Sequence, residues 1–256
     1  MPQGKLALVG LGIGGEKGIS LAGLEELKAC GRVFAESYTN LLPEGTLQRL
    51  EKLAGKKIEL LNREQVEGEK SIIEAASSTS VALVVPGDPM IATTHVSLVL
   101  AAKKKQIPVE IIHASSILSA AIGESGLQAY KFGKMVTLAY WRENYRPMAA
   151  YDVIAENLSR GLHTLLLLDI DEKLGPMKPS EAAGLLLEME KTGKKSILLP
   201  ETRILVLSGI GLADEVKRYL SLGDVALSRQ MLPLPGVLVI SGTLHFLESE
   251  YLQALP

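Results

Sequence analysis

The segment Val81-Ala82-Leu83-Val84-Val85-Pro86-Gly87-Asp88-Pro89 carries the clearest indication of the fold, because it joins a continuously apolar run to a rigid turn. A strand that is apolar at every position is typical of a parallel sheet covered on both faces. The prolines fix φ in the turn, and the glycine between them permits unusual backbone angles. Asp88 follows the carboxyl end of the strand, where ligands bind in open α/β sheets. An ordinary turn, with Asp88 bonded to its own backbone, is the alternative interpretation.

Short apolar runs of this kind recur along the chain, and helical patterns lie between them. The eight runs cover residues 6–9, 33–35, 81–85, 109–112, 136–139, 164–168, 204–207 and 237–240. Helix starts are also recognisable, since Asn62 before Arg63-Glu64-Gln65 resembles a capping box. This alternation predicts an α/β architecture with mainly parallel sheets.

Eight strands are many for one open sheet in a chain of 256 residues. A division near residues 112–116 gives two sheets of about equal weight. We therefore predict two α/β lobes, residues 1–113 and 114–256, with the ligand in the cleft between them.

Composition excludes several classes of protein. The chain is 47% hydrophobic, and its 27 Lys and Arg residues nearly balance 29 Asp and Glu residues, which argues against disorder and gives no sign of nucleic-acid binding. A single cysteine, Cys30, excludes an intrachain disulfide and a cysteine-rich metal site within one chain. No apolar run approaches the roughly 20 residues that span a bilayer. We expect a soluble cytoplasmic protein that binds neither membranes nor nucleic acid.

A glycine cluster, Gly10-Leu11-Gly12-Ile13-Gly14-Gly15, follows the first predicted strand and matches G-x-G-x-x-G. Glu36 closes the next apolar run about where a dinucleotide-binding fold places its ribose carboxylate, so an NAD-dependent oxidoreductase is one alternative. However, Ser20 is the expected N-cap of the next helix, which leaves a long loop between the glycines and the helix amides. The glycines then allow a ligand or another strand to approach the backbone closely. A tight turn without a ligand remains open.

Longer motifs give the chain a specific resemblance to a known family. The first strand ends in Gly-Leu-Gly and a later one in Pro-Gly-Asp-Pro, as in the tetrapyrrole methylase class of S-adenosylmethionine-dependent methyltransferases. Within this class the chain resembles the diphthine synthase family over essentially its whole length. The runs that carry this resemblance include Asp88-Pro89-Met90-Ile91-Ala92-Thr93-Thr94-His95, Gly126-Leu127-Gln128-Ala129-Tyr130-Lys131-Phe132-Gly133 and Gly161-Leu162-His163-Thr164-Leu165-Leu166-Leu167-Leu168-Asp169-Ile170.

The resemblance implies an activity, a cofactor and partners. Members of the family are homodimers that bind S-adenosylmethionine and methylate translation elongation factor 2. The acceptor is the amino group of a 3-amino-3-carboxypropyl group on one histidine, and the expected products are its trimethylammonium form and S-adenosylhomocysteine. The implied cofactor contacts fall at Ile13, Asp88, Ile91, Ser116, Ile117, Leu168, Ile210 and Gly236. One departure is that Gly14 and Gly15 stand where the family usually has an acidic residue.

The proton acceptor is not assigned by the sequence. Methyl transfer needs a positioned neutral amine and a group that takes its proton, but no metal, and the histidine spacings fit no compact ligand set. The candidates are Glu36, His95, His113 and Asp169, each of which also has a purely structural interpretation. The segment 141–147, which contains Trp141 and two arginines, is a hypothetical contact for the protein substrate. A non-catalytic nucleotide- or S-adenosylmethionine-binding module is the second alternative.

Overall fold

The computed structural model describes residues 4–171 and 173–256, and the chain forms two compact units that divide between Ile117 and Leu118. Each unit contains a five-stranded sheet with helices packed against it, which confirms the predicted α/β class. Within these described residues, no helix is both long enough and apolar enough to cross a membrane.

The first unit is built on a wholly parallel sheet. Its strands are β1 (Lys5–Gly10), β2 (Arg32–Glu36), β3 (Ile58–Leu61), β4 (Ser80–Val85) and β5 (Val109–Ile112). Its helices are α1 (Leu21–Ala29), α2 (Thr46–Ala54), α3 (Arg63–Glu67), α4 (Lys70–Ser78) and α5 (Val96–Lys104). The strand order is β3-β2-β4-β1-β5, and every pairing is parallel. All five carboxyl ends therefore lie at one edge of the sheet.

The central strands of this sheet are covered on both faces, which explains why they are apolar throughout. In β1, Leu6 and Leu8 pack with α4 and α5, whereas Ala7 and Val9 pack with α1 and α2. All four side chains are fully buried. Burying a leucine side chain stabilises a fold by about 1.5–3 kcal/mol, so these strands supply much of the core energy of the unit.

Polar caps start two of the helices where the sequence predicts them. The Ser20 hydroxyl accepts a hydrogen bond from the Gly23 amide at 3.0 Å, which fixes the start of α1. At α3, the Asn62 side chain accepts from the Gln65 amide and the Gln65 side chain accepts from the Asn62 amide, each at 2.9 Å. This reciprocal pair is a capping box, and it satisfies two amides that the helix itself leaves unbonded.

The second unit has a mixed sheet. Its strands are β6 (Val136–Leu138), β7 (Thr164–Leu168), β8 (Ile170–Asp171), β9 (Gly175–Pro176), β10 (Arg203–Ser208), β11 (Val216–Ser221) and β12 (Gly236–Ile240). Its helices are α7 (Ala149–Ser159), α8 (Pro179–Gly193), α9 (Leu222–Leu227) and α10 (Phe246–Ala254), and α6 (Ile117–Glu124) begins at the junction. The five-stranded sheet has the order β11-β10-β12-β7-β6, and only its β6–β7 pair is parallel, whereas β8 and β9 form a separate antiparallel pair.

The expectation of mainly parallel sheets is therefore correct for the first unit and wrong for the second. Every residue of β12 is buried, although both of its neighbours run antiparallel to it. A continuously apolar strand indicates cover on both faces, and that cover does not depend on the direction of the neighbouring strands. For β12, the pattern predicted burial correctly and strand direction incorrectly.

A buried ion network fixes α10 within the second unit. The Glu248 carboxylate is 2% exposed and accepts hydrogen bonds from the Gln128 amide at 2.8 Å and the His245 amide at 2.7 Å. It also contacts Lys131 Nζ at 2.7 Å and His163 Nε2 at 3.2 Å. Burial by itself raises the pKa of Glu248, but the lysine, the two amides and the imidazole outweigh it and lower the pKa to about 2. Lys131, which lies in the run from Gly126 to Gly133 quoted above, thus has a structural role.

Candidate functional site

Three loops are joined at the carboxyl edge of the first sheet. Gly12, after β1, and Gly87, after β4, exchange two backbone hydrogen bonds of 3.0 Å each. Both residues have positive φ, +75° and +72°. A Cβ on Gly12 would lie 2.5 Å from the Gly18 carbonyl oxygen, so no larger residue fits without a backbone shift. The prediction that the glycines allow close backbone approach is confirmed, and the approaching segment is the turn after β4.

The third loop follows β5 and is tied to both others. The Ile13 amide donates a hydrogen bond to the Ser115 hydroxyl at 3.2 Å. The Ala114 amide donates to Asp88 Oδ2 at 3.2 Å. The loops after β1, β4 and β5 therefore form one bonded assembly at the edge where open α/β sheets bind ligands.

Asp88 is the centre of this assembly. Its carboxylate is nearly fully buried, and Oδ1 accepts from the Met90 amide at 2.9 Å while Oδ2 lies 2.8 Å from His113 Nδ1. Burial raises the pKa of Asp88, but the amides of Met90 and Ala114 and the His113 ring outweigh it, so the pKa lies below the ordinary value. The carboxylate is ionised at neutral pH. The hydrogen bond within its own turn confirms the interpretation of Asp88 as part of an ordinary turn. The contact with His113 is an additional interaction that this interpretation does not include.

The geometry around the glycines disagrees with a dinucleotide site. A short 3₁₀ turn, Gly15–Gly18, separates the cluster from α1, so the helix amides begin only after Ser20. Glu36 is fully buried, and its oxygens accept from the Tyr38 amide at 3.1 Å, the Thr39 amide at 3.2 Å and the Thr39 hydroxyl at 2.5 Å. Burial raises its pKa. A carboxylate enclosed in this way is not presented to a ribose, so the oxidoreductase alternative has no support here.

Five of the residues predicted to contact a cofactor lie in or next to the joined loops. Ile13 and Ile91 present partly exposed apolar side chains, with Ile91 41% exposed. Asp88 is the buried carboxylate at the centre. Ser116 directly precedes α6, and Ile117 is the first residue of that helix. The arrangement combines one fixed negative charge with apolar side chains and backbone amides.

The other three predicted residues lie together at one edge of the second sheet. Leu168 ends β7, Gly236 begins β12, and Ile210 follows the end of β10. Gly236 pairs with Ser208, and the neighbouring register positions bring the end of β7 to the same edge. A Cβ on Gly236 would lie 3.1 Å from Pro179 Cγ, so this position offers backbone groups in a closely packed setting.

The four candidate proton acceptors have different surroundings. Glu36 and His95 are buried, and His95 Nδ1 lies 2.9 Å from the Pro89 carbonyl oxygen. Asp169 is half-buried and accepts from the Tyr140 amide at 3.0 Å. His113 contacts Asp88 and has a side chain that is 69% exposed. It is therefore the most accessible of the four.

The segment after β6 is held by internal contacts. The Trp141 indole donates to the Pro147 carbonyl at 3.1 Å, and the Arg146 guanidinium lies 5.6 Å from the centre of the indole ring. Arg142 pairs with Asp171. These contacts fit a packed surface loop, and a role in binding a protein substrate remains a prediction.

Sequence reasoning named Gly87 only for its backbone angles, and it missed the roles of Gly87 and Ser115 in joining the loops. Gly87 supplies the backbone partner of Gly12, and Ser115 supplies the hydroxyl that binds the Ile13 amide. Both follow strands that neighbour β1, so the available signal was that loops after adjacent parallel strands meet at one sheet edge. Using that signal requires the strand order, which the sequence pattern does not contain.

Comparisons with known proteins agree with this geometry. The chain matches the family described as Tetrapyrrole (Corrin/Porphyrin) Methylases over residues 5–226. It is 40% identical to the diphthine methyl ester synthase of Schizosaccharomyces pombe, with 96% of this chain and 93% of the relative covered. It is 41% identical to the diphthine synthase of Methanocaldococcus jannaschii, with 98% of each covered. A crystal structure of diphthine synthase matches with a TM-score of 0.86 at 35% identity, covering 97% of this chain and 94% of that one.

Proposed function

The chain belongs to the diphthine synthase branch of the tetrapyrrole methylase family, and we propose that it methylates translation elongation factor 2 with S-adenosylmethionine. The acceptor is the amino group of a 3-amino-3-carboxypropyl group on one histidine, and the product is the trimethylammonium form. The observation that carries the proposal is the identity of about two residues in five over nearly the whole chain. The joined loops of the first unit support it.

The residues of these loops fit S-adenosylmethionine. Asp88 is ionised and buried, so it can accept a hydrogen bond from an amino group or a ribose hydroxyl, and its charge suits a cationic ligand. The half-exposed side chains of Ile13 and Ile91 suit an adenine ring. We assign cofactor contacts to these residues and to Ser116, Ile117, Leu168, Ile210 and Gly236. The chemistry that the cofactor supplies when bound is a methyl group activated on a positively charged sulfur.

The chain's own residues have three tasks in this reaction. They must hold the acceptor amine in line with the methyl group, exclude water, and receive a proton, because only a neutral amine is nucleophilic. Positioning is the largest of these tasks, since the methyl donor is already activated. The rigid bonded loops around Gly12 and Gly87 suit it, because their backbone is fixed before any ligand binds.

The experiment that tests this function measures both binding and product. Isothermal calorimetry should show that S-adenosylhomocysteine binds and that NAD does not. Mass spectrometry of elongation factor 2 carrying the unmethylated 3-amino-3-carboxypropyl histidine should show gains of one to three methyl groups. A fourth methyl, removed by alkali, would assign a methyl ester product, as the name of the fission-yeast relative indicates. Absence of S-adenosylhomocysteine binding would refute the function, and binding without methyl transfer would favour a non-catalytic module.

We further propose that the protein is a homodimer in the cytoplasm, where its translation-factor substrate lies. Large apolar side chains on the second unit support self-association, since Leu227 is 83% and Met231 93% exposed. Sedimentation analysis at several protein concentrations tests this assembly, and a mass of one chain throughout would contradict it.

A further inference from the structure

Asp88 and His113 form a carboxylate–imidazole pair across two loops. The Asp88 Oδ2–His113 Nδ1 distance is 2.8 Å, and the same carboxylate is held by the amides of Met90 and Ala114. An ionised carboxylate only accepts hydrogen bonds, so Nδ1 carries the proton and donates it. In the neutral ring, Nε2 then carries the lone pair. The pair therefore fixes both the tautomer and the orientation of the imidazole.

The two partners differ sharply in exposure. The Asp88 side chain is 5% exposed, whereas the His113 side chain is 69% exposed. A buried carboxylate that orients an accessible imidazole is the arrangement that general bases use, because the acid is fixed while the ring can reach a substrate. Among residues 4–171 and 173–256, Asp88 is the charged group that contacts the His113 ring.

We propose that His113 Nε2 accepts the proton of the substrate ammonium group, and that Asp88 is the positioning residue that holds the ring for this step. The inference rests on the proposed methyltransferase function and adds the proton acceptor to it. The step is balanced within the pair: one ammonium N–H bond breaks, its electron pair stays on the amine nitrogen, and a new N–H bond forms at Nε2. The amine becomes neutral and the imidazole becomes cationic beside the Asp88 carboxylate. Exposure of His113 allows the proton to pass to solvent before the next methylation.

The surroundings of the other candidates support this choice. His95 is 1% exposed and Glu36 is fully buried, so neither can touch a substrate that is carried by another protein. The Asp169 carboxylate already accepts the Tyr140 amide at 3.0 Å. His113 also lies three residues before Ser116, a proposed cofactor contact, and the loop between them is bonded to Asp88 and Ile13, which are proposed cofactor contacts too.

The test begins with His113→Gln, which keeps a polar side chain but cannot take up a proton near neutral pH. General-base catalysis contributes about 10²–10⁴-fold, so kcat for methylation of elongation factor 2 should fall by at least about 100-fold. The affinity for S-adenosylhomocysteine, measured by calorimetry, should be unchanged. The control is His245→Asn, which removes a histidine of the second unit and leaves a good N-cap at α10, and it should retain full activity.

Two further measurements separate a base from a structural residue. In His113→Ala, added imidazole should restore part of the rate, because a small base can enter the space of an exposed side chain. In the unaltered protein, nitrogen-15 spectra of the neutral His113 ring should show the proton on Nδ1, and Asp88→Asn should reduce the population of that tautomer. This second readout does not depend on turnover.

The outcomes discriminate between the proposals. A His113→Gln variant with normal kcat, an alanine variant that imidazole does not rescue, or a ring protonated at Nε2 alone would overturn the role of His113 while leaving the methyltransferase function intact. Failure of the unaltered protein to methylate elongation factor 2 would overturn the function and the role of His113 together.

Discussion

Replacing Gly12 with alanine should destabilise the protein more than the same replacement at Gly87, although both residues have nearly the same φ. Alanine in the left-handed region costs about 1–2 kcal/mol, and this cost applies at both positions. At Gly87 nothing lies within 4 Å of the added Cβ. At Gly12 the Cβ would lie 2.5 Å from the Gly18 carbonyl oxygen and 3.0 Å from Ser115 Oγ. Because the closest atom belongs to backbone, the loop itself must move.

The additional cost at Gly12 follows from that displacement. Overpacking that shifts backbone typically costs about 1–3 kcal/mol, so Gly12→Ala should lower the free energy of unfolding by about 2–5 kcal/mol in total. Gly87→Ala should lower it by about 1–2 kcal/mol. Gly12→Ala should also weaken binding of S-adenosylhomocysteine, because the displaced loop carries Ile13.

Urea denaturation followed by far-UV circular dichroism measures the stabilities, and calorimetry measures the affinity. Gly55→Ala is a matched control, because Gly55 has φ +64°, nothing lies within 4 Å of its added Cβ, and it caps the end of α2. It should lose as much stability as Gly87→Ala and keep normal affinity. Equal stabilities of the Gly12 and Gly87 variants would refute the steric argument.

Two other predictions concern buried polar groups. Because the pKa of Glu248 is lowered to about 2, its contribution to stability is complete above about pH 4.5 and is lost as the pH falls towards 2. Glu248→Gln leaves Lys131 and His163 without their carboxylate, so urea denaturation at pH 7 should show that the free energy of unfolding falls by about 3 kcal/mol. The free energy of unfolding of this variant should also depend less on pH below about 4.5, and a pH dependence equal to that of the unaltered protein would contradict this. Tyr38 Oη and His95 Nε2 are buried without a hydrogen-bond partner among the described residues. A high-resolution crystal structure should therefore place an ordered water within hydrogen-bond distance of at least one of them, and an apolar void beside both atoms would show this expectation to be wrong.

The strands that could be predicted include the central strands of each sheet, which are buried on both faces. All eight apolar runs form strands, and four further strands were missed: β3 and β11 at sheet edges, and the two-residue strands β8 and β9. In β3, Glu59 and Leu60 are exposed, and in β11 every residue is only half-buried. Edge strands have fewer neighbours, so their composition can be mixed, although the apolar runs did predict the edge strands β5 and β6. The directions of the strands in the second sheet could not be predicted either, because a buried strand has the same apolar pattern whether its neighbours are parallel or antiparallel.

The features of the candidate site also divide into those that the sequence could predict and those that it could not. The glycine cluster, the turn at Asp88 and the helix start at Ser20 are local features, so each could be read from neighbouring residues. The Asp88–His113 pair joins residues 25 positions apart, and it depends on β1 lying between β4 and β5. No local pattern contains that order. The sequence therefore indicated which residues to consider, and the strand order showed which of them meet.

The parallel order of the first sheet also has a consequence for synthesis of the chain. Lys5 of β1 pairs with Ser80 of β4, and Leu6 pairs with Val109 of β5. Strand β1, whose residues Leu6 to Val9 are fully buried, thus leaves the ribosome long before either of its neighbours exists, whereas β10 and β11 can pair as soon as a short connection has been made. Parallel pairings that close long loops form slowly and leave apolar surface exposed meanwhile. The nascent first unit should therefore expose the apolar surface of β1 until β4 and β5 have been synthesised.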